Sequence, residues 1–200
     1  PQVSISDASG LNFSAPEPAI IDSAIASGMN WIWRITWHNG YGYGIDYGNR
    51  FVHLVRTKDG KTFEKVCKLD ISDSPNESSI RFDKNDRIYV MVRREVGDKL
   101  GVLAQSNSPY TNWTYTKLSM RLGGPNFLFH DNKMIICSRL HTPEGDRTAL
   151  SVADMNGNIQ KQIKLTSKGD ASYPGMVIYK KKLWVTYYSS HEGKASIYLT

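Results

Sequence analysis

Ten polar side chains stand at the ends of apolar runs in this 200-residue sequence: Arg34, Asn76, Glu77, Arg93, Arg94, Asn126, Arg139, Arg147, Asp170 and Tyr173. A guanidinium is costly to withdraw from water without an anionic partner. Arginines that close apolar runs therefore point to a carboxylate or phosphate ligand, or to ion pairs within the protein. Glu77 and Asp170 are the acids of this set that could serve a paired-carboxylate chemistry. A structural reading stands beside each chemical one. Glu77 with Arg93 or Arg94 could tie adjacent strands, and Tyr173 before Pro174-Gly175 could pack a turn. Arg34 between Trp33 and Trp37 could stack on aromatics, and Asp170 after Gly169 could be a turn residue.

What must position these side chains is a series of short strands. Trp33–Trp37, Phe51–Val55, Arg87–Val92 and Leu183–Tyr188 are rich in β-branched and aromatic residues, and Gly, Asn and Asp punctuate the spaces between them. Helical character is confined to Ile20–Ser27. The strands recur at a fixed period. Aromatic residues closing a polar turn fall at Phe13, Phe63 and Trp113, in two steps of 50, and the turns before each second strand hold Gly40, Asn85, Asn132 and Lys181, in steps of 45, 47 and 49. Four short strands per ~40–50 residues is the signature of a β-propeller blade, and a sandwich would not require that period. The expected fold is all-β: one propeller domain over residues 1–200 made of four-stranded antiparallel blades, with a partial blade at 1–20, blades at about 31–70, 78–118 and 125–165, and a partial blade at 173–200. In such a fold the ligand mouth lies where innermost strands begin and second strands end, which is where the ten side chains fall.

Composition narrows the function. With 40% apolar residues the chain can bury enough surface to fold, and no apolar window approaches the ~18 residues of a membrane span. The net charge of +6 suits an anionic small ligand or simply a soluble surface. No Lys/Arg tract is interleaved with aromatics, which argues against nucleic acid, and Lys180-Lys181-Lys182 reads as a hairpin turn. Cys67 and Cys137 each sit in an apolar run and read as buried free thiols. His38, His53, His130 and His141 lack metal-ligand spacing, and His191-Glu192 reads as a solvated turn, so neither metal nor cofactor is expected.

Several segments carry a resemblance. Thr57-Lys58-Asp59-Gly60-Lys61-Thr62-Phe63 resembles the Asp box of sialidase-type propellers, one residue short of its Ser-x-Asp-x-Gly-x-Thr-Trp pattern. Ser6–Phe13 resembles a degenerate copy with Ala8 in the Asp place, and Ser106–Trp113 keeps only the end residues. Trp33–His38, Pro75-Asn76-Glu77, Val92–Glu95, Leu122–Phe127, Ser172–Gly175 and Tyr187–Lys194 resemble segments of a bacterial sialidase-like (neuraminidase superfamily, BNR-repeat) group of six-bladed propellers. The resemblance covers essentially the whole chain. It implies that further blades precede Pro1 and would close the ring, and that the protein is periplasmic or secreted, although Pro1-Gln2-Val3-Ser4 shows no leader pattern. It implies a glycoside hydrolase acting on an acidic or complex glycan by a retaining mechanism. Tyr173 is then the nucleophile and Glu77 its base. Arg93 or Arg94, with Arg147 or Arg139, would clamp a sugar carboxylate, and Arg34, Asn126 and Asp170 would line the site. The first arginine of the cluster and the acid/base Asp would lie upstream of Pro1.

Two other functions compete with this one. A non-catalytic carbohydrate-binding propeller would stack sugar rings on Trp31, Trp33, Trp37, Tyr41 and Tyr43. A glycosidase with paired carboxylates, as in five-bladed arabinosidase propellers, would need two or three inner-strand acids, and only Glu77 and Asp170 qualify.

Overall fold

A computed structural model describes residues 1–48 and 51–200; Asn49 and Arg50, inside the first expected whole blade, lie outside the described residues. These residues form four small antiparallel sheets of a β-propeller and no α-helix. Blade 1 is β4 (Trp31–His38), β5 (Tyr41–Gly48), β6 (Phe51–Thr57) and β7 (Thr62–Leu69). Blade 2 is β8 (Pro75–Phe82), β9 (Ile88–Arg94), β10 (Leu100–Ser106) and β11 (Trp113–Arg121). Blade 3 is β12 (Asn126–His130), β13 (Lys133–Leu140), β14 (Arg147–Asp154) and β15 (Ile159–Lys164). Blade 4 has three strands, β16 (Ala171–Tyr179), β17 (Lys182–Ser189) and β18 (Ser196–Leu199). Before them, β1 (Gln2–Val3) pairs with β2 (Glu17–Pro18).

The helical character of Ile20–Ser27 is not realised. β3 (Ile20–Ile21) instead adds to blade 1 in parallel with Thr62–Phe63, because the exposed edge of β7 offers backbone groups that two β-branched residues can pair.

Strand periodicity builds the cores. Ile88, Val90 and Val92 point to one face of β9, into a cluster with Ile45, Leu54 and Ile80 between blades 1 and 2. Tyr89 and Met91 point to the other face, into a cluster with Phe127, Met134 and Ile136 between blades 2 and 3. A third cluster, Cys137, Val185 and Tyr187, joins blades 3 and 4. A strand sandwiched this way must be apolar at nearly every position, as Ile88–Val92 is. Cys137 is buried and Cys67 half-buried, both as free thiols. The two end blades each leave an apolar face bare, with Ile35 and Trp37 on blade 1 and Val177, Trp184, Ile197 and Leu199 on blade 4.

The hairpin turns repeat as the spacing predicts. Asn39 and Gly40, Asp86, Asp131 and Asn132, and Lys180 and Lys181 all take positive φ between first and second strands. At Thr57–Phe63 the Asp59 carboxylate accepts from the Lys61 and Thr62 amides at 2.8 and 2.7 Å and from the Thr57 hydroxyl at 2.9 Å, and Phe63 is buried. In the Ser6–Phe13 copy the carboxylate is Asp7, not a residue at Ala8: it accepts from Ser9 and Asn12. These bonds hold Asp59 well below the ordinary carboxylate range and bring Asp7 down to about 2; the amide of Thr62 and the hydroxyl of Ser9 are the leading causes. A depressed folded-state value adds stability above the unfolded value near 4, and that stability is lost as pH falls through the folded value. The thermal midpoint is therefore expected to fall between about pH 4 and pH 2, with a shallower fall in Asp59→Asn, as melts by circular dichroism at stepped pH will show. An unchanged acid slope in that variant would remove the turn from the account.

Candidate active site at the inner-strand bulges

Three of the four innermost strands break register at the same end and in the same way. In β4, Ile32 faces Asp46 and Ile35 faces Gly44, so Trp33 and Arg34 together oppose Ile45. In β8, Asn76 and Glu77 oppose Arg93. In β16, Tyr173 and Pro174 oppose Tyr187. Each is a two-against-one β-bulge, which frees a side chain from the ladder and aims it along the sheet edge. In blade 3 the sequence Gly123-Gly124-Pro125 occupies this place, held by Arg139 N–H to Gly123 C=O at 3.0 Å.

The bulges bring Glu77 and Tyr173 together from 96 residues apart. Tyr173 Oη donates to Glu77 Oε1 at 2.7 Å. Glu77 Oε2 accepts from Arg93 Nη1 at 2.5 Å and from the Gly124 amide at 3.2 Å. Only 12% of the Glu77 side chain is exposed, so this carboxylate is held by hydrogen bonds rather than by water. Tyr173 has φ +52°, an uncommon conformation for an aromatic residue and a local strain of about 1–3 kcal/mol. Its ring packs against Trp33 at 5.2 Å and Tyr188 at 5.7 Å. Burial, then the hydrogen bond and charge of Glu77, raise its pKa, so the phenol stays protonated at neutral pH. Tyr47, on the second strand of blade 1, is pushed up to about 12 by burial and by the charges of Glu77 and Tyr173.

The backbone beneath Tyr173 has to be bare. Gly124 has φ +55°, and a Cβ there would lie 2.7 Å from the Tyr173 ring; a Cβ at Gly123 would lie 2.8 Å from the Arg139 Cβ. Gly124→Ala is expected to lower stability by about 2–3 kcal/mol through the left-handed backbone and the ring collision. Denaturant unfolding measures this, and the cost should shrink in a Tyr173→Ala background. An equal cost in both backgrounds would show that the ring is not the obstacle.

The remaining predicted residues divide. Arg93 belongs to the couple and is also ion-paired with Glu95, which in turn holds Arg121 at 2.9 Å, so charges alternate outward from Glu77. Arg93 is held above its ordinary pKa: burial opposes this, but the hydrogen bond and charge of Glu77 outweigh it. Arg94 is no alternative to Arg93. Successive strand residues face opposite ways, and Arg94 is buried on the other side with Asp73 at 2.5 Å, Asp98, and the Leu100 carbonyl at 2.7 Å. Arg139 sits across Tyr188 from the couple, giving its Nη2 to Asp170 at 2.6 Å and to Tyr188 at 3.1 Å. Asp170 also accepts from Tyr188 Oη at 2.5 Å. Arg147 donates to the Asp146 carbonyl at the start of β14 and, among the described residues, bonds to neither Tyr173 nor Glu77. Asn126 donates to the Pro174 carbonyl at 3.0 Å, and Arg34 Nη2 reaches the same oxygen at 3.0 Å. Of Arg93, Arg94, Arg139 and Arg147, Arg94 faces away from the couple and Arg93 alone bonds to Glu77 among the described residues. Arg93, Arg94 and Arg139 each hold a carboxylate of the protein itself.

Three contributors escape a reading by residue type: Tyr188, Tyr47 and the Gly123-Gly124 pair. Tyr188 stands near the end of a second strand, the position rule that selects Arg93 and Arg139, so that rule applied to aromatics as well would have found it.

No protein-family model matches this sequence, and no curated protein matches it. Solved structures do. The chain superposes on the Bacteroides ovatus xyloglucan PUL GH43B with a TM-score of 0.65 and 14% identity, over 86% of this chain and 39% of that one. It superposes on the endo-arabinase of Bacteroides thetaiotaomicron with a TM-score of 0.59 and 14% identity, over 83% and 72%. The family 117 glycoside hydrolase Zg3597 of Zobellia galactanivorans gives 0.62 and 13%, over 92% and 70%. This chain thus spans well under half the length of the first. At such identity the likeness shows the fold: the chain is a β-propeller of the kind found in glycoside hydrolases, and the sialidase resemblance rests on its motifs alone.

Proposed function

We propose that the chain carries the nucleophile side of a retaining glycoside hydrolase, with Tyr173 as nucleophile and Glu77 as its base. The observation that carries this is the 2.7 Å hydrogen bond from the Tyr173 hydroxyl to a carboxylate that is itself fixed by Arg93 and the Gly124 amide. Tyr173 Oη forms a bond to the anomeric carbon while its proton passes to Glu77 Oε1. A neutral phenol avoids the repulsion a carboxylate nucleophile would meet beside an anionic sugar. As the glycosidic C–O bond breaks, the leaving oxygen takes a proton from an acid outside this couple. Water then attacks the anomeric carbon and gives its proton to the conjugate base of that acid, while the bond from carbon to Tyr173 Oη breaks and Glu77 returns its proton to the phenolate oxygen. Solved propellers of similar fold that are named as glycoside hydrolases support the general class. An acidic sugar as substrate, and further blades completing the ring, are proposals resting on the sialidase-like motifs.

The test is fluorophore release from a fluorogenic sialoside by the protein at its natural full length, with Tyr173→Phe as the decisive variant. An unchanged rate there removes the mechanism. A binding-only reading draws on the aromatic pile of Trp33, Tyr173 and Tyr188, a surface suited to stacking a sugar ring. Calorimetry showing tight binding of intact sugar with no turnover by the unaltered protein would favour it.

A further inference from the structure

The arginines around the channel fall into two groups by partner. Arg93, Arg94, Arg121 and Arg139 each have a carboxylate within 4 Å. Arg34 and Arg81, on the innermost strands of blades 1 and 2, have none among the described residues. Both are half-buried, and their acceptors are all neutral. Arg34 Nη2 donates to the Pro174 carbonyl. Arg81 donates through Nη1 to the Ile80 carbonyl at 2.7 Å and the Thr36 hydroxyl at 3.3 Å, and through Nη2 to Asn126 Oδ1 at 2.7 Å. Asn126 returns to the Pro174 carbonyl, so one polar network links the inner strands of all four blades through two cations.

The charges in this network are uncompensated. Burial lowers the pKa of both arginines, and the charge of Arg34 lowers that of Arg81 further, so the two guanidinium groups feel one another. Glu77 is the negative group whose field reaches Arg34, but its oxygens already serve Tyr173, Arg93 and Gly124. The polar atoms left without partners on the β4 bulge are both donors. Arg34 Nε and Trp33 Nε1 are buried with no hydrogen-bond acceptor among the described residues. Two desolvated cations with buried donors to spare call for an acceptor that carries negative charge.

We propose that the channel beside Arg34 and Arg81 binds one small anion, a carboxylate or an inorganic oxyanion. The site goes beyond the hydrolase reading and does not depend on it, because Tyr173 and Glu77 supply none of its donors. A resident inorganic ion would give Arg34 and Arg81 a charged acceptor beside the neutral ones they now hold. The carboxylate of a sugar acid would reach the same donors from the mouth, past Trp33.

The test is titration of the 200-residue chain in low-salt HEPES buffer with inorganic phosphate, glucuronate and, as the uncharged control, glucose. Binding is read by isothermal calorimetry and by tryptophan fluorescence, since Trp33 borders the site. Saturable one-to-one binding of phosphate or glucuronate is expected, with glucose inert. Arg34→Gln should weaken it about tenfold or more, while Arg56→Gln, which removes a surface partner of Glu64, should leave it unchanged. Among the described residues the Arg34 side chain makes a single hydrogen bond, so its variant is the safer probe if Arg81→Gln fails to fold. Phosphate binding alone assigns the site to an inorganic ion. Glucuronate displacing phosphate assigns it to a sugar carboxylate as well. No saturable binding, equal binding of glucose, or full affinity in Arg34→Gln overturns the proposal. The readout needs no turnover, so an inactive protein leaves it standing.

Discussion

Tyr173→Phe should cut glycoside hydrolysis about a thousandfold or more while leaving the fold in place. Phenylalanine keeps the ring contacts with Trp33 and Tyr188 and the fit over Gly124; only the oxygen that would attack is lost. Glu77→Gln should fall by a similar factor, because the amide can still accept from the hydroxyl but cannot take its proton. The two act as a unit, so the double variant should be scarcely slower than either single one. Initial rates of fluorophore release measure all three. Rapid quenching followed by intact mass should find one sugar attached to the unaltered protein and none to Tyr173→Phe. Additive losses, or a glycosylated Tyr173→Phe, would assign the nucleophile elsewhere.

The second large effect is on stability. Glu77→Ala should destabilise the chain by about 3–5 kcal/mol, the range for removing one partner of a buried ion pair. For a domain of this size that is a fall of roughly 6–20 °C in melting temperature. Three groups lose their acceptor together: the Arg93 guanidinium, the Gly124 amide and the Tyr173 hydroxyl. Arg93 keeps Glu95, which is shared with Arg121, so the local balance turns positive. The contrast is Arg56→Ala on the exposed pair with Glu64, expected to change stability by less than about 1 kcal/mol. Replacing Arg93 by Met alongside Glu77→Ala should recover part of the loss, because no unpaired charge then stays buried. If Glu77→Ala melts with the unaltered chain, the network contributes nothing to folding and its geometry serves binding alone.

Much of the fold is legible because propellers write their architecture in local signals. Ile88–Val92 is apolar at every position since both of its faces meet a neighbouring blade, and the turns at Gly40, Asn85, Asn132 and Lys181 recur because each hairpin needs a left-handed residue. Ile20–Ser27 misleads because its residues tolerate a helix, and the unpaired edge of β7 decides otherwise. In the site, type and strand position bring out Glu77, Tyr173, Arg93 and Arg139. They cannot say which of two adjacent arginines faces the channel: Arg93 and Arg94 differ by one residue of pleat, and Arg93 is the one that stands opposite the two-residue bulge of the partner strand. Nor can spacing show that Arg139 and Arg94 are already occupied, since Asp170 is 31 residues from the one and Asp73 21 from the other.

The matched bulges have an evolutionary reading. Hydrogen-bonded pairing resumes on both sides of Trp33-Arg34, Asn76-Glu77 and Tyr173-Pro174, so the register of each sheet does not depend on the identity of these dipeptides. Each behaves as a cartridge. A different pair of residues can be inserted in one blade without disturbing the register of that blade, provided the contacts it makes across blades, such as Glu77 with the Gly124 amide, are replaced in step. Substrate preference in proteins of this shape can therefore drift one cartridge at a time, with the cores between the blades unchanged as the chemistry at the mouth is rewritten.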